Sequence, residues 1–185
     1  NVQKFLDFAS QYLESDDPNI LNQSIKIISE GTKNGEMYVA FCMENGIIQH
    51  FFQMLDSELI SFRTQTKIFI AICYFFEQSD FENAKQMVEF GFFNMLSEFL
   101  QTFSYNNVKA MRAALDALNQ ALQLALDYPE VQEWKQIIYG DDSIITAIED
   151  YDCGTDQTGD YTEESIQVYA HSFLGKIEIQ LPFEE

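Results

Sequence analysis

The sequence predicts an all-α solenoid of stacked helical repeats, and three observations carry that prediction. The segment Glu44-Asn45-Gly46-Ile47-Ile48-Gln49-His50-Phe51-Phe52-Gln53-Met54-Leu55 recurs 45 residues later as Glu89-Phe90-Gly91-Phe92-Phe93-Asn94-Met95-Leu96-Ser97-Glu98-Phe99-Leu100. A weaker third copy starts at Tyr139-Gly140-Asp141-Asp142-Ser143-Ile144, 49 residues after the second. Only three prolines and eight glycines interrupt a chain that is 46% hydrophobic, which suits helices joined by short connections. Strand-like alternation is confined to Lys176-Ile177-Glu178-Ile179-Gln180-Leu181, too short to outweigh the helical pattern.

Helical periods of about 40–47 residues mark armadillo or HEAT solenoids. Such stacks are usually binding surfaces, because each unit buries its faces against its neighbours and leaves a long open side. The chain carries 30 acidic and 10 basic residues, a net charge of −20. That balance argues against nucleic acid, whose phosphates require clustered Lys and Arg. It suits a basic polypeptide partner drawn in by the field, and equally the solvated faces of an acidic protein.

The elements follow in order. Val2, Phe5, Leu6, Phe8, Ala9, Tyr12 and Leu13 keep helical spacing, predicting over 1–15 the closing helix of a truncated repeat. Ser15-Asp16-Asp17-Pro18 is a turn, with Asp17 as N-cap and Pro18 at the first helical position. The repeat over 16–57 then has a helix to the Glu30-Gly31 break, a short helix through Met37 to Met43 that Gly46 ends, and a closing helix. The repeat over 58–104 has a long helix at 60–76, a short one at 81–90 and a closing one at 92–103. In the repeat over 105–150, Asn107 caps a long Ala/Leu-rich helix at 108–126. An irregular insert at 127–139 follows, with a helix around Trp134 at 131–139, and then a closing helix at 141–150. Residues 151–185 are expected to form an acidic loop and a C-terminal capping helix at 166–174. Twelve acidic residues and the single basic Lys176 fall within 141–185, as a polar terminal cap would have it.

No residue pattern supports chemistry. Cys42, Cys73 and Cys153 are odd in number and widely spaced, so neither a disulfide framework nor a metal site is expected. Asp150, Asp152 and Asp156 invite a calcium loop, but Thr155 and Tyr161 stand where its glycine and glutamate belong. His50 and His171 have no ligand at metal spacing. Asn22-Gln23-Ser24 matches a glycosylation acceptor by chance, since no secretion signal is visible. Trp134 and the Phe51, Phe52, Phe92, Phe93, Phe99 stripe read as core. No nucleophile elbow, zincin, phosphate-loop or dinucleotide motif occurs, so no catalytic residue, metal or cofactor is expected. No run approaches the ~20 apolar residues of a membrane span. The chain opens at Asn1 inside a helical pattern and without Met, and is expected to be a fragment, or the ordered part, of a longer protein.

Four features resemble the C-terminal repeats of the importin-α (karyopherin-α) family. These are the Glu44-Asn45-Gly46-Ile47-Ile48 and Glu89-Phe90-Gly91-Phe92-Phe93 junctions, and the run Ala114-Leu115-Asp116-Ala117-Leu118-Asn119-Gln120-Ala121-Leu122. The insert before the last repeat is the third, and Glu163 to Leu174 with the terminal Glu184-Glu185 is the fourth. The resemblance implies an armadillo-repeat right-handed superhelical solenoid, here about three full repeats plus partial terminal units. It also implies a groove, lined by the long helices, that holds lysine-rich localisation signals between recurring Trp and Asn residues four apart. Those positions map to Lys26/Glu30, Ile70/Tyr74 and Asp116/Gln120, so none of the three pairs keeps its Trp or its Asn. Ile48 and Phe93 also replace the family's junction proline.

Two functions follow from this reading. One is a nuclear import adaptor in cytoplasm and nucleus, binding basic peptide signals, importin-β and an export receptor. The other is an armadillo scaffold, built into a larger assembly, that has lost signal-peptide binding. Neither involves an enzyme, a cofactor, nucleic acid or a membrane span.

Overall fold

The computed structural model describes residues 4, 10–57, 59–102, 107–152, 173 and 175. Among them every regular element is helical. The α-helices are α1 (Pro18–Glu30), α2 (Glu36–Glu44), α3 (Ile47–Leu55), α4 (Phe62–Glu77), α5 (Phe81–Glu89), α6 (Phe92–Thr102), α7 (Val108–Asp127), α8 (Glu133–Gly140) and α9 (Asp142–Asp152). Short 3₁₀ turns stand at Gly31–Asn34 and Pro129–Val131. The chain divides into two compact units, Asn1–Phe92 and Phe93–Glu185. Helix lengths repeat as a long, a short and a medium element: 16, 9 and 11 residues for α4 to α6, then 20, 8 and 11 for α7 to α9.

The ends of these helices are set by side chains near the predicted places. Asp17 Oδ1 accepts from the Asn19 amide at 2.8 Å with Pro18 opening α1, so the missing proline N–H leaves no donor unmet. Ser61 caps α4 through the Thr64 amide, starting it at Phe62, two residues later than the apolar spacing places it. Asp80 caps α5 through Asn83 at 2.9 Å, and Asn107 caps α7 through Ala110 at 3.2 Å. Asp141 Oδ1 receives both Ser143 and Ile144 amides and opens α9. That helix continues to Asp152, past the start of the expected acidic loop, whose 153–162 portion lies outside the described residues. So do the capping helix at 166–174, apart from buried Phe173, the 176–181 alternation, and most of the helix predicted within 1–15.

The repeated glycine is a true junction. Gly46 (φ 71°) and Gly91 (φ 100°) both take the left-handed region, which turns the short helix into the closing one at little steric cost. In the first unit α1 and α3 both pack on α4, and α2 packs on α3 and α5. Their shared core is aromatic. Phe51 meets Phe75 with ring centroids 6.2 Å apart, Phe76 stacks on Phe92 at 3.8 Å, and Phe52 tilts against Phe90 at 5.8 Å. Ile68, Phe69, Ile72, Phe75 and Phe76 of α4 are wholly buried, each contributing about 1.5–3 kcal/mol. Polar residues in this core satisfy themselves locally: Ser24, Thr32 and Ser79 hydroxyls donate to backbone carbonyls three or four residues earlier.

In the second unit α8 bridges α7 and α9. Trp134 of α8 is 2% exposed and meets Phe93 edge to face at 5.9 Å, confirming it as core. Two side-chain bonds tie α6 to the start of α9: Ser97 Oγ donates to Asp141 Oδ1 at 3.3 Å, and Gln101 Nε2 to Ser143 Oγ at 2.6 Å.

Candidate functional site

Each long helix buries most of its circumference and leaves one stripe open. On α1 the open stripe is Asn19, Gln23, Lys26 and Glu30. On α4 the accessible residues are Arg63, Thr66, Lys67, Tyr74 and Glu77, interrupted by buried Ile70, and on α7 they are Lys109, Arg112, Asp116, Gln120, Gln123 and Asp127. Steps of three and four residues put each set on a single helix face. Most of the remaining surface of these helices is apolar and covered, with Ile20, Phe62 and Leu126 the large apolar side chains left exposed.

Of the six residues singled out from sequence, five are at least partly accessible and Ile70 is buried. Lys26 and Glu30 are exposed and pair with each other at 3.9 Å. Ile70 is nearly closed over at 8% exposure, and Tyr74 is half-buried. These four share the first unit, on helices that pack side by side. Asp116 and Gln120 are half-buried in the second unit, where Asp116 faces Arg112 at 3.7 Å. The Lys26–Glu30 pair lies in solvent and holds little energy, while Asp116 is partly covered; each pair places a cation beside the carboxylate that an incoming lysine would seek.

Arg63, Lys67, Lys109 and Arg112 were not reached by following the Trp/Asn positions. Their signal is nonetheless in the sequence: they sit three, four or seven residues before Ile70 and Asp116, inside runs without any acidic residue, 59–76 and 99–115.

Burial pushes the Cys42 thiol up to about 12, partly offset by a hydrogen bond with Tyr38, so it stays protonated and inert. Burial raises the Tyr38 phenol further above its ordinary range, and also raises Tyr139. Cys73 is likewise buried. Among the described residues no three His, Cys, Asp or Glu side chains are grouped to hold a metal ion, and no helix is long and apolar enough to cross a membrane.

Neither a protein-family model nor a curated protein matches the sequence. Solved structures do match in fold, designed armadillo repeat proteins among them. One is 14% identical with a TM-score of 0.55, covering 94% of this chain and 87% of the design. A second, titled as a design in complex with the peptide (KR)4, is 17% identical with a TM-score of 0.56 over 96% and 76% of the two chains. A third, computationally designed for modular peptide recognition, is 15% identical with a TM-score of 0.55 over 94% and 87%. The fold is therefore an all-α armadillo-repeat solenoid, as its period predicts.

Proposed function

We propose that this chain is a non-enzymatic, protein-binding armadillo module whose open stripes on the long helices hold an extended segment of another protein. The observation that carries this is the division of each long helix into a broad buried apolar face and a narrower accessible row, unbroken on α1 and α7 and interrupted on α4 by buried Ile70. The likeness to designs made for peptide recognition, one of them holding (KR)4, supports it. Such a stack offers stiff, evenly spaced side chains, so an extended peptide loses its freedom against a surface that is already ordered.

Two narrower readings stand under this one. In the first the chain is an importin-α-like adaptor, in cytoplasm and nucleus, for lysine-rich signals and transport receptors. Glu30, Asp116 and the net charge of −20 support it. In the second it is a scaffold subunit that no longer takes such signals. The specific observation favouring the second is what replaces the Trp/Asn pairs. Lys26 and Ile70 give no flat aromatic wall for a lysine stem, and Lys26 and Arg112 already face Glu30 and Asp116.

The test is titration of a labelled two-cluster basic localisation peptide, beside a scrambled peptide of equal charge, at low and physiological salt. An adaptor binds the true signal at least tenfold more tightly and keeps it at physiological salt. A scaffold binds both peptides equally and loses both as salt rises, because only the bulk field attracts them.

A further inference from the structure

We infer that the outer face of α2 is a further docking surface, separate from the rows on the long helices, and that it takes a short basic amphipathic helix of a partner protein. An exposed apolar row on that face, Met37, Ala40 and Phe41, is closed at its two ends by exposed Glu36 and Glu44.

The row lies where a surface helix is ordinarily polar. From Met37 to Met43 the chain reads Met-Tyr-Val-Ala-Phe-Cys-Met, without a charged side chain. Tyr38, Val39 and Cys42 take the inner face and are buried, where α2 packs on α3 and α5. The outer face carries Met37, 83% exposed, with Ala40 and Phe41 partly exposed. Steps of three and four residues set these three on one side of the helix, and Glu44 continues the row. A helix that is apolar all round is ordinarily covered all round. This one is covered on its inner side and open on its outer side.

Stacking of the repeats does not require an apolar outer row. The equivalent helix of the next repeat is α5, 45 residues on and in the same unit. Its inner residues Ala84 and Met87, at the places of Val39 and Cys42, are buried alike. Its outer residues Glu82, Lys85 and Gln86, at the places of Met37, Ala40 and Phe41, are polar and exposed. The same position in the repeat thus has a solvated outer face in one helix and an apolar one in the other. A local departure of this kind, on an exposed surface, marks a contact site.

Charge decides the occupant. Within α2, the 3₁₀ turn before it and α5 beside it, the exposed charges are Glu36, Glu44, Glu82 and Glu89 against Lys33 and Lys85. Both of those on α2 itself are acidic. A second copy of this chain is disfavoured, because twofold antiparallel pairing centred on Ala40 sets Glu36 against the partner's Glu44, between molecules of net charge −20. The same carboxylates repel an anionic lipid surface. A basic amphipathic helix satisfies both features: its apolar row covers Met37 and Phe41, while Lys or Arg beside that row meet Glu36 and Glu44. Methionine suits the contact, since its unbranched thioether fills irregular gaps against a partner helix. The nine residues of α2 offer a small area, so the association is transient.

The experiment uses the whole chain and three labelled eighteen-residue peptides, followed by fluorescence anisotropy at physiological salt. One has Leu at i, i+3, i+4 and i+7 spacing with Lys elsewhere, one is its scrambled isomer, and one has Glu for every Lys. The amphipathic Lys peptide is expected to bind about tenfold more tightly than its isomer, and the Glu peptide not to bind. Met37→Gln should weaken that binding about tenfold with unchanged helical circular dichroism. Glu36→Gln with Glu44→Gln should weaken it about threefold and flatten its salt dependence. Equal binding of both Lys peptides, unaltered in Met37→Gln, would leave only the bulk field and overturn the inference. A concentration-dependent dimer in sedimentation equilibrium, lost in Met37→Gln, would make a second copy the occupant and overturn it. Binding to phosphatidylserine vesicles that is lost in the same variant would do likewise. Any of these failures leaves the reading of the long helices standing, because Met37 lies on none of them and the localisation peptides test that reading separately.

Discussion

The Tyr38 hydroxyl donates to the Ile28 carbonyl at 2.7 Å, reaching back from α2 to the last turn of α1. The phenol passes directly over Gly31, whose backbone is ordinary right-handed helix (φ −64°) but where an added methyl would overlap the ring. Gly31 is thus required by packing and not by its torsion angles. Gly31→Ala is expected to cost about 1–3 kcal/mol by overpacking. The cost should largely vanish in a Tyr38→Ala background, which a double-mutant cycle by urea unfolding will show. Tyr38→Phe, which removes the bond to the Ile28 carbonyl and the bond with Cys42 but leaves that carbonyl the Gly31 amide, is expected to cost about 0.5–1.5 kcal/mol.

Gly46 and Gly91 present the opposite case. Nothing lies within 4 Å of a methyl added at either, yet both occupy the left-handed region. Alanine at each site is expected to cost about 1–2 kcal/mol through backbone strain alone. Asn, which tolerates that region, should recover part of the loss. Denaturant midpoints of the four single variants decide this.

Phe93 and Trp134 give the second unit a spectroscopic handle, since the chain has one tryptophan and it is buried. Phe93→Ala is expected to cost about 3–5 kcal/mol and to shift tryptophan emission to the red while the protein is still folded. An unshifted emission maximum would contradict the edge-to-face packing.

Cys42 sets an alkaline limit on the first unit. Its folded-state pKa, about 12 against an ordinary 9.0, is raised because burial disfavours the thiolate. The stability it contributes is complete below pH 9.0 and is lost as pH rises towards 12, because the unfolded thiol ionises first. Tyr38, also raised by burial, adds to the same loss above its ordinary 10.0. The thermal midpoint should therefore fall between pH 9 and 11, and fall less in Cys42→Ala.

How much of this was legible beforehand differs between fold and site. The repeat of Gly46 and Gly91 with its apolar sequel was enough for the architecture, because a left-handed glycine and a helical stripe are both local signals. Asp17, Pro18 and Asn107 were readable for the same reason. Helix ends were less so: α4 starts at Phe62 because Ser61 caps it, which the apolar spacing of Ile60 concealed. The Tyr38–Gly31 contact was invisible, since it depends on how a 3₁₀ turn folds α2 back on α1. At the site, the six residues came from the family resemblance, and five of them are at least partly accessible while Ile70 is buried. The resemblance did not show that Lys26 and Glu30 satisfy each other, or that Ile70 is almost covered, because pairing and burial are set by neighbouring helices.

The buried reporters are partitioned between the units. Cys42 and Cys73 lie in the first and Trp134 in the second. In a Cys153→Ser background, thiol trapping therefore clocks the opening of one half while tryptophan emission clocks the other. A linear stack can melt as a single piece or from one end, and this chain comes already fitted with two separate clocks that tell those cases apart.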